Sequence, residues 1–265
     1  MPSRDIIDQA LLRDLLSRPI SGPDVERALN RRTPDVDDLA ALLSNAALDY
    51  LEPMAQRASQ LTRHHFGNAV VLFTPLYISN ICENVCAYCS FASQHRISRK
   101  HLSMDEIRRE AAAIAQTGMR HILMLTGESH RVAGREYLVE AVRVLGEFFS
   151  SISIEVYALT EEVYGELIGA GVDGLTIYQE VYDRSTYQRL HLGGPKQDYD
   201  FRLEAPERAC RQGIHAVTIG PLLGLADFRS EVLSAALHLR SLQDRFPATE
   251  LSIALPRIRP LAGEF

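Results

Sequence analysis

Cys82, Cys86 and Cys89 place three of the chain's four cysteines within eight residues, spaced C-x3-C-x2-C. Thiolates this close can hold three corners of an iron–sulfur cube and leave the fourth iron without a protein ligand. That iron is open to a small chelating molecule, such as an amino acid binding through its amine and carboxylate. The competing reading is zinc. Cys86 and Cys89 form a pair, Cys82 is a third ligand, and His95 or His101 completes a closed structural site. Ligand-free structural cysteines fit poorly, because three so close on a loop have little core to pack in. The fourth, Cys210, falls on a predicted helix and reads as a small buried hydrophobe.

Two further groups of residues suit a charged small molecule. In Thr126-Gly127-Glu128 a carboxylate is available to a cationic amine at short range, and the glycine lets backbone approach closely. Arg257 and Arg259 offer guanidinium forks that grip a carboxylate. Gln179 and Glu180 are polar residues at a predicted strand end. His95, His101, His121, His191 and His215 have no mutual spacing that argues for a metal.

These residues need elements to bring them together. Residues 1–66 read as a helical extension. Ile6, Ile7, Ala10, Leu11, Leu15 and Leu16 recur at helical spacing, Ser21 caps a second helix, and Thr33-Pro34-Asp35 opens a third. A longer helix runs from Ala46 to Phe66, with Pro53 in its first turn or at a kink, and Gly67 closes it. The expected role of this extension is a lid or cap. From 67 to 265 strands and helices alternate. Strands are predicted at Ala69–Phe73, His121–Leu125, Ser151–Tyr157, Gly174–Tyr178, Ala216–Gly220 and Leu251–Leu255. Helices between them include one opened by the capping box Ser103-Met104-Asp105-Glu106. Repeated strand–helix–strand units imply a parallel sheet with right-handed crossovers. The fold class is therefore α/β, a partial TIM-type barrel of about six parallel strands. Such barrels work at the C-terminal ends of their strands, where the cysteine loop, Glu128, Gln179-Glu180 and Arg257 all fall.

A chain of 265 residues can bury one sizeable core. Its net charge of −6 gives no support for nucleic-acid binding. The uncharged run Ala216–Ala226 is too short to span a bilayer, and the N-terminus has no apolar signal region. Clustered cysteines of this kind suit a reducing cytoplasm.

The string around the cysteines resembles the radical SAM superfamily. There C-x3-C-x2-C with an aromatic residue before the third cysteine is the signature, and Tyr88 fills that place. The wider string resembles its tyrosine lyase branch in Tyr77-Ile78-Ser79-Asn80, Asn84, Phe91, Arg96-Ile97, Arg99-Lys100 and Leu102. Further matches follow at Leu125-Thr126-Gly127-Glu128, Tyr178-Gln179-Glu180, Tyr187, His191-Leu192, Lys196-Gln197-Asp198, Arg202-Leu203-Glu204 and Pro256-Arg257-Ile258-Arg259-Pro260. The likeness runs in unbroken order from about residue 70 to 262.

The resemblance implies a 4Fe-4S cluster on Cys82, Cys86 and Cys89, with S-adenosylmethionine (SAM) on the fourth iron. Tyr88 and Phe91 then stand near the adenine, while Thr126, Gly127 and Glu128 take the methionyl ammonium. Gln179 and Glu180 contact SAM or substrate, Arg257 or Arg259 clamps the substrate carboxylate, and Ser79 and Asn80 shape the substrate site. In the family a serine shortly precedes the arginine. Here that position is Ala254, with Ser252 two residues earlier.

The implied reaction splits the Cα–Cβ bond of L-tyrosine to 2-iminoacetate (dehydroglycine) and p-cresol, with 5′-deoxyadenosine and methionine formed. The product serves the thiazole of thiamine by handover to thiazole synthase, and the electron comes from flavodoxin or ferredoxin. The family's chains continue past the arginine motif, so the resemblance implies a C-terminally shortened version with one side of the barrel open. The alternatives are the related hydrogenase-maturation tyrosine lyase and an inactive truncated or zinc-binding homologue.

Overall fold

The structure is a computed structural model that describes residues 9–259. The predicted contributions of Ile6, Ile7 and Pro260 lie outside those residues. Four helices come first: α1 (Gln9–Ser17), α2 (Gly22–Asn30), α3 (Val36–Leu42) and, after a 3-10 turn at Asn45–Tyr50, α4 (Leu51–Phe66). Their starts follow local capping. Ser21 with Asp24 and Asp35 with Asp38 both form reciprocal capping boxes.

The barrel part then runs β1 (Phe73–Ser79), β2 (Val85–Cys86), α5 (Met104–Gln116), β3 (His121–Thr126), α6 (Arg135–Gly146), β4 (Ser151–Glu155) and α7 (Glu161–Ala170). It continues with β5 (Gly174–Glu180), α8 (Arg184–Leu190), β6 (His191–Gly193), α9 (Tyr199–Leu203), α10 (Ala205–Arg211), β7 (Ala216–Pro221), α11 (Phe228–Arg245) and β8 (Glu250–Ile253). Six strands form one parallel sheet in the order β1-β3-β4-β5-β7-β8. This is the expected arrangement of about six parallel strands. The short strands β2 and β6 pair antiparallel beside it.

The first barrel strand differs from its sequence-based position. The run Ala69–Phe73 has strand composition, yet Val70, Val71 and Leu72 are 79%, 68% and 63% exposed. Pairing with β3 starts at Phe73, opposite His121, and continues to Ser79. The strand therefore leads directly into the cysteine loop. The crossover between β6 and β7 carries two short helices, α9 and α10, divided at Glu204.

Strand periodicity separates two faces. Ile122 and Met124, Ile152 and Ile154, Leu175 and Ile177, and Val217 and Ile219 are buried in the layer shared with the helices. The alternate residues, including Ser153, Glu155, Thr176, Tyr178 and Thr218, are only part-buried and belong to the concave side. Helices α1 and α3 pack on α11 through Leu12, Leu15, Ala40 and Leu233. They cover the outer helix, and no described residue of the extension lines the barrel cavity. Among the described residues no helix is long and apolar enough to cross a membrane.

One buried histidine makes the fold acid-sensitive. His238 on α11 is 1% exposed. Its Nδ1 meets the Tyr182 hydroxyl at 3.2 Å and its Nε2 has no partner. Burial pushes its pKa down to about 4. As pH falls through 6.5, the unfolded chain takes up a proton that the native chain refuses until about pH 4. Native stability is therefore lost on acidification across that window. The unfolding free energy of the wild type, measured against that of His238→Gln, is expected to drop by about 1.6 kcal/mol between pH 6.5 and pH 5. Denaturant unfolding at the two pH values checks this, and a constant difference would refute it.

Candidate functional site

At the C-terminal ends of the strands lies a cavity of about 280 Å³. Its wall carries Cys82, Cys86, Cys89, Phe91, Thr126, Gly127 and Glu128, and also Tyr77, Asn84, Glu155, Tyr157, Tyr178, Glu180, Lys196 and Arg202. Residues as far apart in sequence as Tyr77 and Arg202 thus face one space, because parallel connections return every strand end to the same side.

The cysteine loop is held from three directions. Ala87 N–H donates to Leu190 O at 2.9 Å, extending the β2–β6 pairing. Arg99 donates to the carbonyls of Asn80, Phe91, Ala92 and His95, folding the loop's exit back on its entry. Gly127 seats strand β3 against the loop's start. Its N–H donates to Ser79 O at 2.8 Å, and a Cβ there would stand 2.5 Å from Ile81 O and 3.2 Å from Cys82 Cβ. All four cysteines are free thiols. Burial pushes the Cys86 thiol up to about 11 and raises Cys89 in the same way.

Asn84 joins this loop to the rest of the site. It is 2% exposed. Its amide donates to Glu128 Oε2 at 2.6 Å, and its Oδ1 accepts from Lys196 N at 2.9 Å. The partner segment turns at Gly194, whose φ is +88° and whose Cβ would strike Asn84 Oδ1 at 2.5 Å. His130 Nε2 lies 3.6 Å from Glu128 Oε1.

On the far wall Glu180 has φ +70°, the one positive value among the described non-glycine residues. The β5–β7 register shifts there, between Tyr178 and Glu180. A bulge at a strand end re-aims side chains, and strain of this kind gathers at functional sites. The Glu180 carboxylate meets Lys196 Nζ at 2.7 Å and lies 3.6 Å from Arg202. Burial alone would raise its pKa, but Lys196 and Arg202 together hold it below the ordinary carboxylate value.

Several residues singled out from the sequence stand elsewhere. Gln179 is buried on the other side of the bulge, with neither amide atom partnered, and does not line the cavity. Ser79 is buried, with its hydroxyl accepting from Ile81 N. Asn80 bonds Ser98 O and Lys100 N, so both residues brace the loop. Tyr88 also stays out of the lining. Its hydroxyl meets His191 Nε2 at 2.8 Å, and His191 Nδ1 faces Tyr187 O, so the aromatic residue pins the loop to β6. Arg257 and Arg259 are exposed just beyond β8, at the same end of the sheet, and neither lines the cavity.

Neither of the histidines that the zinc reading names as a fourth ligand, His95 or His101, lines the wall. Among the described residues no three His, Cys, Asp or Glu side chains gather closely enough to hold one metal ion.

Sequence reasoning missed Glu155, Lys196 and Arg202 as lining residues. Glu155 carried a usable signal, as the charged end of an otherwise apolar–polar alternating strand. Lys196 and Arg202 sit on a turn and a short helix with no periodic pattern pointing inward.

Comparison with known proteins agrees with this architecture. The chain is 46% identical over 241 residues to 2-iminoacetate synthase of Escherichia coli (strain K12), covering 91% of this chain and 64% of that protein. It spans just under two-thirds of the length of that relative. A crystal structure of HydG, a maturase of the FeFe-hydrogenase, superposes with a TM-score of 0.91 at 30% identity, covering 97% of this chain and 59% of the other. HydG from Carboxydothermus hydrogenoformans gives 0.88 at 28% identity, covering 98% and 63%. The radical SAM superfamily model matches residues 76–238, from within β1 to within α11. The cysteine loop, the Gly-Glu strand end and the partial barrel all fall in that span, and the chain belongs to the radical SAM superfamily, whose members work with a 4Fe-4S cluster and SAM.

Proposed function

We propose that this chain is the radical-forming core of a tyrosine lyase of the 2-iminoacetate synthase type. The observation that carries the reading is the meeting of three loop thiols and Glu128 at one cavity. It is joined by the 46% identity to 2-iminoacetate synthase.

The residues present fit the cluster. Three uncrosslinked thiols face a common space. A cube takes one thiolate on each of three irons. Cys82, Cys86 and Cys89 would hold it, and the raised Cys86 and Cys89 thiols would release protons on ligation. When bound, cluster and SAM supply an electron and a 5′-deoxyadenosyl radical.

The chain's own residues bind, orient and shield. Glu128, with one oxygen fixed by Asn84, accepts the methionyl ammonium through the other. Phe91 and Tyr77, in edge contact at 5.8 Å, form an apolar rim. The Lys196–Glu180–Arg202 group closes the wall opposite. Arg257 or Arg259, leaving β8 at this end of the barrel, is the proposed grip on the substrate carboxylate. Products are 2-iminoacetate, passed to thiazole synthase in the cytoplasm, and p-cresol. Flavodoxin or ferredoxin supplies the electron.

The test is anaerobic reconstitution followed by reduction with SAM and L-tyrosine. About four irons per chain, 5′-deoxyadenosine and p-cresol are expected. Zinc without iron, or cleavage of SAM without p-cresol, would sink the proposal. Carbon monoxide among the products would move the chain to the hydrogenase-maturation branch.

A further inference from the structure

Three carboxylates and two cations line the cavity: Glu128, Glu155 and Glu180, with Lys196 and Arg202. Glu180 engages both cations, at 2.7 and 3.6 Å. Glu128 receives the Asn84 amide and faces His130. Glu155 forms no hydrogen bond or ion pair with any described residue. The unbalanced negative charge of the cavity is therefore localised on one side chain.

Its position gives that charge a direction. Glu155 ends β4 in register with Leu125, one residue before the Thr126-Gly127-Glu128 turn. It belongs to the concave row of its strand, since Ile152 and Ile154 take the buried face. The groups that face it are Tyr77 from β1, Tyr178 and Glu180 from β5, Lys196 from the Pro195–Gln197 turn and Arg202 from α9. Tyr77, Phe91, Tyr157 and Tyr178 give the surrounding wall aromatic surface. A free carboxylate beside aromatic walls suits an aromatic compound carrying a cationic amine.

We propose that Glu155 binds the α-ammonium group of the aromatic amino-acid substrate and takes one of its protons before the radical step. This rests on the tyrosine lyase reading above. In the transfer the ammonium N–H bond breaks, its electron pair stays on nitrogen, and the proton forms an O–H bond on Glu155. No electron is gained or lost. The neutral amine that results has an N–H hydrogen for a radical to remove and no charge to oppose scission. Burial and the nearby Glu180 push the Glu155 pKa up to about 7, which suits a group that must ionise to bind and then accept a proton near neutrality.

The test measures equilibrium binding of L-tyrosine and of 3-(4-hydroxyphenyl)propionate, which lacks the amine. Both are measured on reconstituted protein with SAM present, for wild type, Glu155→Gln and Glu155→Asp. Glu155→Gln is expected to weaken tyrosine at least tenfold while leaving the amine-free analogue and SAM within about twofold. Wild-type tyrosine affinity should rise as pH passes upward through about 7 and be flat in Glu155→Gln. Glu155→Asp should restore part of the preference for the amine. Equal tyrosine binding by wild type and Glu155→Gln overturns the proposal, as does a parallel loss of SAM affinity, which would assign Glu155 to SAM. Failure of the wild type itself to bind tyrosine overturns the tyrosine lyase reading first, so the two failures are distinguishable.

Discussion

Replacing Cys82, Cys86 or Cys89 by alanine is expected to cut iron in the reconstituted protein from about four per chain to less than about one. Formation of 5′-deoxyadenosine should fall to background. The physical ground is that the three thiols share one wall, while the loop around them is over-determined. Arg99 holds four of its carbonyls, Gly127 abuts its start, and β6 pairs with Val85 and Cys86. A lost thiol therefore leaves a gap that the loop cannot close by shifting. Cys210→Ala is the matched control. That thiol is buried on α10 beside Thr249, outside the cavity, and its loss should leave iron content unchanged. Iron analysis of the four variants checks the expectation. Full iron in any one of the three loop variants, or none in Cys210→Ala, would contradict it.

Glu128→Gln is expected to weaken SAM binding by about 10- to 100-fold, the worth of a charge-assisted hydrogen bond to an ammonium group. Asn84→Asp should act on the same contact from behind. It replaces a donor 2.6 Å from Glu128 Oε2 with a second carboxylate, and two like charges this close cannot both ionise cheaply. SAM affinity in Asn84→Asp should therefore become pH-dependent, falling on acidification as the pair takes up protons and loses the charge that faces the cationic amine. Asn84→Ala should weaken binding without that pH dependence. Equilibrium dialysis of SAM across pH 5 to 8 separates the cases. Unchanged affinity in Glu128→Gln would remove Glu128 from the SAM site.

The part of this site that was legible in the sequence is the part made by neighbours in the chain. The cysteine spacing, the Thr126-Gly127-Glu128 turn and the Ser21 and Ser103 capping boxes are all local patterns. The alternation of strands and helices was enough for a partial barrel, because period-two and helical patterns are written residue by residue. The first strand went wrong for the same reason. Ala69–Phe73 has the composition of a strand, but composition does not say which stretch finds a partner, and pairing with β3 starts only at Phe73.

What the tertiary structure decided is which side chains meet. Gln179 and Glu180 are adjacent in the chain, yet a bulge and a left-handed backbone send only Glu180 into the cavity. Tyr88 and Phe91 lie in one loop, yet His191, more than a hundred residues on, turns Tyr88 into a pin and leaves Phe91 at the wall. Lys196 and Arg202 enter through long-range packing, and Glu155 stands free because Glu180 takes both cations. The sequence by itself determined the chemistry that the loop can carry, since ligand type and spacing are covalent facts. The charge balance and enclosure around that loop depend on register and on contacts between distant segments, and these exist only once the chain has folded.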